Sequence, residues 1–222
     1  MLSGNENEKQ QLLRWRLKKT VPFNIEEAHL SYLEHKGANG KYTVLTVCIH
    51  KQVLAQYEDV FQKLGIHAGY ISLSSFAAFE LLTRIEADVW QGSVLFVRLR
   101  PSGVSSLIHH QGSIVFFRHL DHETGEASAG GADGEIERDL YSELHPCVMY
   151  HQDKLSAHPL DKIYVSCPQD PSPTLLASLS ERFRTPVLSL DPMRFFQSTA
   201  EGQLRSFKSL LMPPLGLALG RF

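Results

Sequence analysis

YTVLTVCIHKQVLAQYEDVFQKLGIHAGYISLSSFAAFEL, residues 42–81, changes its hydrophobic period three times, and the fold class follows from those changes. Residues 42–49 are β-branched and apolar, which predicts a buried strand. Val53, Leu54, Tyr57, Val60, Phe61 and Leu64 then fall on one stripe at helical spacing. Gly65 follows where a helix reverses out of its last turn. Residues 66–73 return to a strand pattern. Ser74 or Ser75 is placed to cap a helix reaching about Ile85, with Ala78, Leu81, Leu82 and Ile85 inward. Strands and helices alternating at this density predict an α/β fold.

On the N-terminal side, residues 1–10 are polar and read as a frayed lead-in. Residues 11–20 predict a short helix with basic residues toward its C-terminal end, where the helix dipole favours them. Pro22 stops it. Residues 28–34 alternate as a strand, and 37–40 form a turn. The opening decade lacks the apolar core of a signal peptide. No apolar stretch approaches the ~20 residues that span a bilayer, so a soluble protein is expected.

On the C-terminal side, residues 94–99, 104–109 and 113–119 predict an antiparallel meander, with Gly103 and Gly112 at its turns. Residues 121–134 are a loop. A helix is expected from about Gly134, with Ile136, Leu140, Leu144 and Val148 as its apolar side and Pro146 kinking or ending it. Residues 162–167 read as a central strand. Ser172 and Pro173 make an N-cap and first-turn pair for a helix that buries Leu175, Leu176, Leu179 and Phe183. Residues 186–190 predict a short strand. The apolar end, 208–222, contains Gly216, Ala218 and Gly220, small enough for close helix packing.

Composition removes several function classes. Of 222 residues, 22 are Lys or Arg and 24 Asp or Glu. Such balance argues against a surface built to neutralise nucleic-acid phosphates. A chain of this length buries roughly 70% of its unfolded surface and needs no disulfide framework. Cys48, Cys147 and Cys167 form no CxxC pair, consistent with a reducing cytosol. His109 and His110 are adjacent, so on a strand they point to opposite faces. His119 and His122, beside Asp121 and Glu123, could ligate a metal from a loop, but no helix-spaced motif supports it, and no metal is expected. Gly125 and Gly130 lack the GK[ST] ending of a phosphate loop. No GxSxG elbow is present. Arg14, Arg16, Lys18 and Lys19 surround Trp15. A solvated helix face is the preferred reading, with an acidic partner, anionic lipid or nucleic acid as the sharper ones.

The Arg14-Trp15 pair, Pro22-Phe23, the acidic pair Glu26-Glu27 and the Ser75–Phe79 "SxxAF" string occur in a fixed order with the elements above. Later come the 94–118 hairpins, Glu135–Leu140, the strand at 163–166, and GLALG at 216–220. Together these resemble the PilM family of type IV pilus assembly proteins. That family comprises actin-like relatives of the division protein FtsA, in a superfamily that includes the cytoplasmic part of the type II secretion protein GspL. The resemblance implies an actin-like (ribonuclease H-like) lobe at 74–222 and a small SHS2-like inserted subdomain at 11–73. The N-terminal part of the usual fold has no counterpart.

The departures from the family carry the functional expectation. Where the family's second phosphate loop has an acid and a glycine, as in "DIG", this sequence has Arg98-Leu99-Arg100. Where the family has a Gly-Gly pair near the adenosine, it has Ser166-Cys167-Pro168. Actin-like hydrolysis needs a carboxylate for Mg²⁺ and backbone amides close to phosphate. Arg98, Arg100, Ser102 and Gly103 are therefore expected to form a degenerate nucleotide loop with no catalytic residue and no cofactor. What the resemblance implies is a non-catalytic cytoplasmic scaffold of a type IV pilus or type II secretion-like assembly. It would sit at the inner face of the bacterial inner membrane and hold the cytoplasmic tail of an inner-membrane partner, with no membrane contact of its own. Arg14, Trp15, Pro22 and Phe23 are the family-motif positions carried over toward that partner, with no contact assigned among them. Self-association is expected if an incomplete lobe exposes apolar surface, as is pairing with a chain that supplies the absent half. The alternative is an active actin-like ATPase using ATP and Mg²⁺; another is that Arg98 and Arg100 bind an anion directly.

Overall fold

The computed structural model describes residues 4–36, 40, 42–121, 133–155, 159–168, 170–192 and 208–219, without the side chains of 133–136, 139, 208 and 209. The chain divides into two units, Met1–Ile71 and Ser72–Phe222. The expectations for residues 37–39 of the turn, 122–132 of the loop with Gly125 and Gly130, the His122 and Glu123 ligands, the Ile136 side chain and Gly220 lie outside the described residues, while the ends of the expected loop belong to a strand, Ser113–Asp121, and a helix, Asp133–Tyr150.

In the first unit, helix α1 (Glu6–Leu17) begins inside the stretch expected to fray. The reason is local. The Glu8 N–H donates to Asn5 Oδ1 at 3.0 Å, and the Asn5 N–H to Glu8 Oε2 at 3.1 Å. This capping box satisfies two helix-end donors reciprocally, so polar residues nucleate the helix here. Strands β1 (Ala28–Lys36) and β2 (Tyr42–His50) pair antiparallel from Ala28↔His50 to Lys36↔Tyr42. Tyr32 donates to Glu6 at 2.7 Å and Lys9 to Glu34 at 3.0 Å, so α1 lies over the sheet face carrying Tyr32 and Glu34.

Helix α2 (Lys51–Gln62) follows, its first turn capped by the His50 ring. Of the apolar stripe read from the sequence, Val53, Tyr57, Val60, Phe61 and Leu64 are all exposed. Residues 66–73 do not form the expected strand. A strand forms only where the segment is brought alongside a partner edge, and among the described residues β1 and β2 pair with each other alone.

The second unit is one five-stranded mixed sheet, β3 (Ser93–Arg100), β4 (Gly103–His110), β5 (Ser113–Asp121), β6 (Lys162–Ser166) and β7 (Val187–Ser189), in the order β5-β4-β3-β6-β7. β3 to β5 are the expected antiparallel meander; β6 runs parallel to β3, and β7 to β6. One face, with Leu95, Val97, Ile163 and Val165, packs on α4 (Asp133–Tyr150) and α5 (Pro173–Phe183) through Leu140, Leu144 and Leu179. The other, with Val94, Phe96, Leu107 and Tyr164, packs on α3 (Ser74–Ile85) and α6 (Lys208–Leu219) through Leu81, Leu82 and Met212.

Two local features refine the sequence reading. Pro146 does not end α4, which continues to Tyr150 and into a single π turn, His151–Leu155. A proline inside a helix loses one ladder bond, and packing of Leu144, Cys147 and Val148 in the core offsets that loss. A Cβ on Gly216 would collide with the Ala77 carbonyl, so α6 meets the backbone of α3 directly there. Ala218, expected in the same seam, is exposed.

Candidate functional site

The carboxyl ends of parallel strands are where α/β sheets present ligand-binding residues. Here those ends are Arg98 to Arg100 on β3 and Ser166 on β6. The register sets Arg98 beside Ser166 on one side and beside Ser105 of β4 on the other. Directly paired residues share a sheet face, so Ser105, Arg98 and Ser166 form a row facing α3 and α6.

Arg98 is 3% exposed. Its Nη1 donates to the Ser74 carbonyl, in the first turn of α3, at 3.4 Å. Burial pushes its pKa down to about 10, and the like charge of Arg100 pushes in the same direction. Arg100 is half-buried on the same face, and among the described residues its buried Nε has no hydrogen-bond partner. Ser166 donates its hydroxyl to Met212 Sδ of α6 at 3.0 Å. A thioether from the C-terminal helix therefore fills the space over the end of β6. This link joins residues 46 positions apart and no local motif announces it.

Ser102 lies exposed in the two-residue turn between β3 and β4, and Gly103 is buried with φ +148°. A Cβ at Gly103 would strike the Leu120 carbonyl of β5. This glycine serves the close approach of β4 to β5.

Chemically, the row donates hydrogen bonds and carries positive charge. None of its three residues is a carboxylate that could hold a divalent cation. Beside it, His119 Nδ1 lies 2.9 Å from Ser105 Oγ and 3.0 Å from the Val104 carbonyl, and Nε2 lies 3.1 Å from Asp121. The chain Ser105–His119–Asp121 resembles a hydrolase triad in composition only. Ser105 is buried, and an Nδ1–H donated to the Val104 carbonyl leaves no lone pair to take the serine proton. Among the described residues, no group of three His, Cys, Asp or Glu side chains is placed to hold a metal.

The family-motif positions of the first unit serve different purposes. Arg14 donates to the carbonyls of Ile25, at 2.5 Å, and Ala28, at 3.1 Å, tying α1 to the entry of β1. It is a structural clamp, while Arg16, Lys18 and Lys19 are exposed as the solvated-face reading expects. Phe23 packs edge-on against the His50 ring at 5.3 Å, and Pro22 is exposed. Trp15 is 73% exposed.

No family model and no curated protein matches the sequence. Among solved structures, the chain is similar to the PilM-PilN type IV pilus biogenesis complex, at 16% identity and a TM-score of 0.73, over 99% of this chain and 74% of that one. The fold is PilM-like. Two further matches have 13% identity. One is the cytoplasmic domain of EpsL, an inner membrane component of the type II secretion system of Vibrio cholerae (TM-score 0.49; 100% of this chain, 68% of that one). The other is a Bacteroides thetaiotaomicron protein with an actin-like ATPase fold (TM-score 0.43; 93% and 66%). Likeness at such identity establishes the PilM-like fold. The chemistry at the strand ends has to be read from this chain's own residues.

Proposed function

We propose that this chain is a non-catalytic scaffold of a type IV pilus or type II secretion-like assembly. It would act on the cytoplasmic side of the inner membrane by holding the tail of an inner-membrane partner. The observation that carries the non-catalytic half is Arg98. A buried guanidinium occupies the strand end where the family resemblance calls for an acid, and a cation there repels Mg²⁺. The likeness to a PilM-PilN complex supports the partner-holding half. An extended tail binds through main-chain hydrogen bonds and a few side-chain pockets, which accords with the absence of a catalytic motif in the sequence. Trp15, exposed on α1 among basic residues, is the anchor we assign to that contact.

Calorimetric titration with Mg-ATP, together with a phosphate-release assay, tests the first half. Neither binding in the micromolar range nor magnesium-dependent release is expected. Release that Arg98→Ala abolishes would overturn the proposal in favour of an active ATPase. For the second half, synthetic peptides matching the cytoplasmic tails of pilus membrane proteins encoded beside this gene should bind the wild type and bind Trp15→Ala at least tenfold more weakly.

A further inference from the structure

Sheet edges invite pairing, and proteins blunt them with charge, proline, bulges or brevity. Three of the four edges among the described residues carry such devices. β1 has Glu34 and Lys36; β5 has Arg118 and Asp121, with a register shift opposite it at Ile108/His109; β7 is three residues long. β2 has none. From Thr43 to Ile49 it reads TVLTVCI, with no charge, proline or glycine, and its nine-residue ladder with β1 is unbroken. Every residue of β2 is at least partly exposed, and among the described residues its backbone bonds no element other than β1.

We infer that two copies of this chain join edge to edge through β2, antiparallel about a two-fold axis at Thr46. The result is one continuous sheet in the order β1-β2-β2′-β1′. The occupant is chosen by self-complementarity. Centred on Thr46, the strand sets Leu45 against Val47′, Val44 against Cys48′ and Thr43 against Ile49′, apolar or β-branched at every position and free of like-charge opposition. A two-fold interface brings the same patch together twice, so a neutral strand of even composition suits it. The axis runs perpendicular to the sheet, so both copies of α1 stay on one face. A two-stranded sheet is marginal by itself, and pairing doubles its strands.

The test uses the full chain. Light scattering coupled to size exclusion should give a dimer that dissociates on dilution. Thr46→Lys, which opposes two ammonium groups at the axis, should weaken association at least tenfold, and Leu45→Lys should act likewise if the first variant folds poorly by circular dichroism. Thr46→Cys on a Cys48→Ser background should form an intermolecular disulfide under mild oxidation. A monomer at every concentration would overturn the inference, as would a dimer indifferent to both lysines and unable to form the Thr46→Cys bridge. Either result would leave the scaffold proposal standing.

Discussion

Arg98 and Ser166 are register partners across the parallel β3–β6 pair, and both face the α3–α6 layer. Their sequence positions are 68 apart, yet they are the two positions onto which the family resemblance, as read from the sequence, carries nucleotide loops. The sheet turns two separate departures into one altered surface. One residue is tied to α3 through the Ser74 carbonyl, and the other to α6 through Met212.

Arg98→Met should stabilise the fold by about 1–3 kcal/mol. Burial, and secondarily Arg100, lower the guanidinium pKa to about 10, a cost on the order of 3 kcal/mol to the charged folded state. The bond to the Ser74 carbonyl offsets part of that cost. The pH dependence has a definite sign. From about pH 10 upward the unfolded chain holds the proton more tightly, so wild-type stability rises with pH until the unfolded arginine also loses its proton, and the variant lacks the rise. Urea midpoints at neutral pH decide the main point: a loss above about 2 kcal/mol would make the guanidinium an indispensable tie.

Gly216→Ala should be among the most damaging single changes in the second unit. The new methyl meets the Ala77 carbonyl, which belongs to a helix backbone and cannot swing aside. Overpacking of this kind costs about 3 kcal/mol. A thermal melt should shift down by roughly 6–12 °C for a domain of this size. An unchanged melting temperature would mean that α6 does not sit on α3 as described.

The contrast between this glycine and its neighbours shows how far sequence reasoning reaches. Close packing through small residues was legible at Gly216, but the same argument placed Ala218 in the seam, and it is exposed. Helical phase decides which small residue faces the partner, and two prolines in α6 blur that phase. The α5 start was legible because Ser172 and Pro173 act within one turn: the Ser172 hydroxyl takes the Leu175 N–H at 3.2 Å. The meander was legible from glycines at its turns. The strand pattern at 66–73 misled because a strand is a property of a pair, and one sequence window contains half of it. The candidate row was half legible. Arg98 and Ser166 stood out singly, whereas the burial of Arg98 and the reach of Met212 depend on long-range packing that no local spacing encodes.

His151 predicts acid sensitivity. It is fully buried at the start of the π turn, and neither ring nitrogen has a hydrogen-bond partner among the described residues. Burial lowers its pKa from 6.5, His110 lowers it further, and Asp161 offsets only part. The unfolded chain therefore binds the proton first as pH falls. Stability is fully present above 6.5 and declines below it. Melting temperatures measured from pH 7.5 to 5 should fall in the wild type, and His151→Phe should flatten part of that slope. Equal slopes in the two proteins would remove His151 as the cause.

Thiol chemistry should distinguish the three cysteines in the folded chain. Cys147, on α4, is buried against the sheet, where burial and the Glu143 carboxyl, 3.6 Å from its sulfur, push its pKa up to about 12. The thiolate is the nucleophile, so at pH 8 this residue presents almost none of the reactive form. Cys167 is buried as well, and Cys48 on β2 is half-exposed. A disulfide-exchange reagent should label one thiol rapidly in native protein and all three in denaturant. The rapid thiol should disappear in Cys48→Ser. Its rate should also fall as protein concentration rises, because edge pairing through β2 brings a second copy against the same strand. Rapid labelling of two or more native thiols would contradict the packing of α4 and β6 at Cys147 and Cys167.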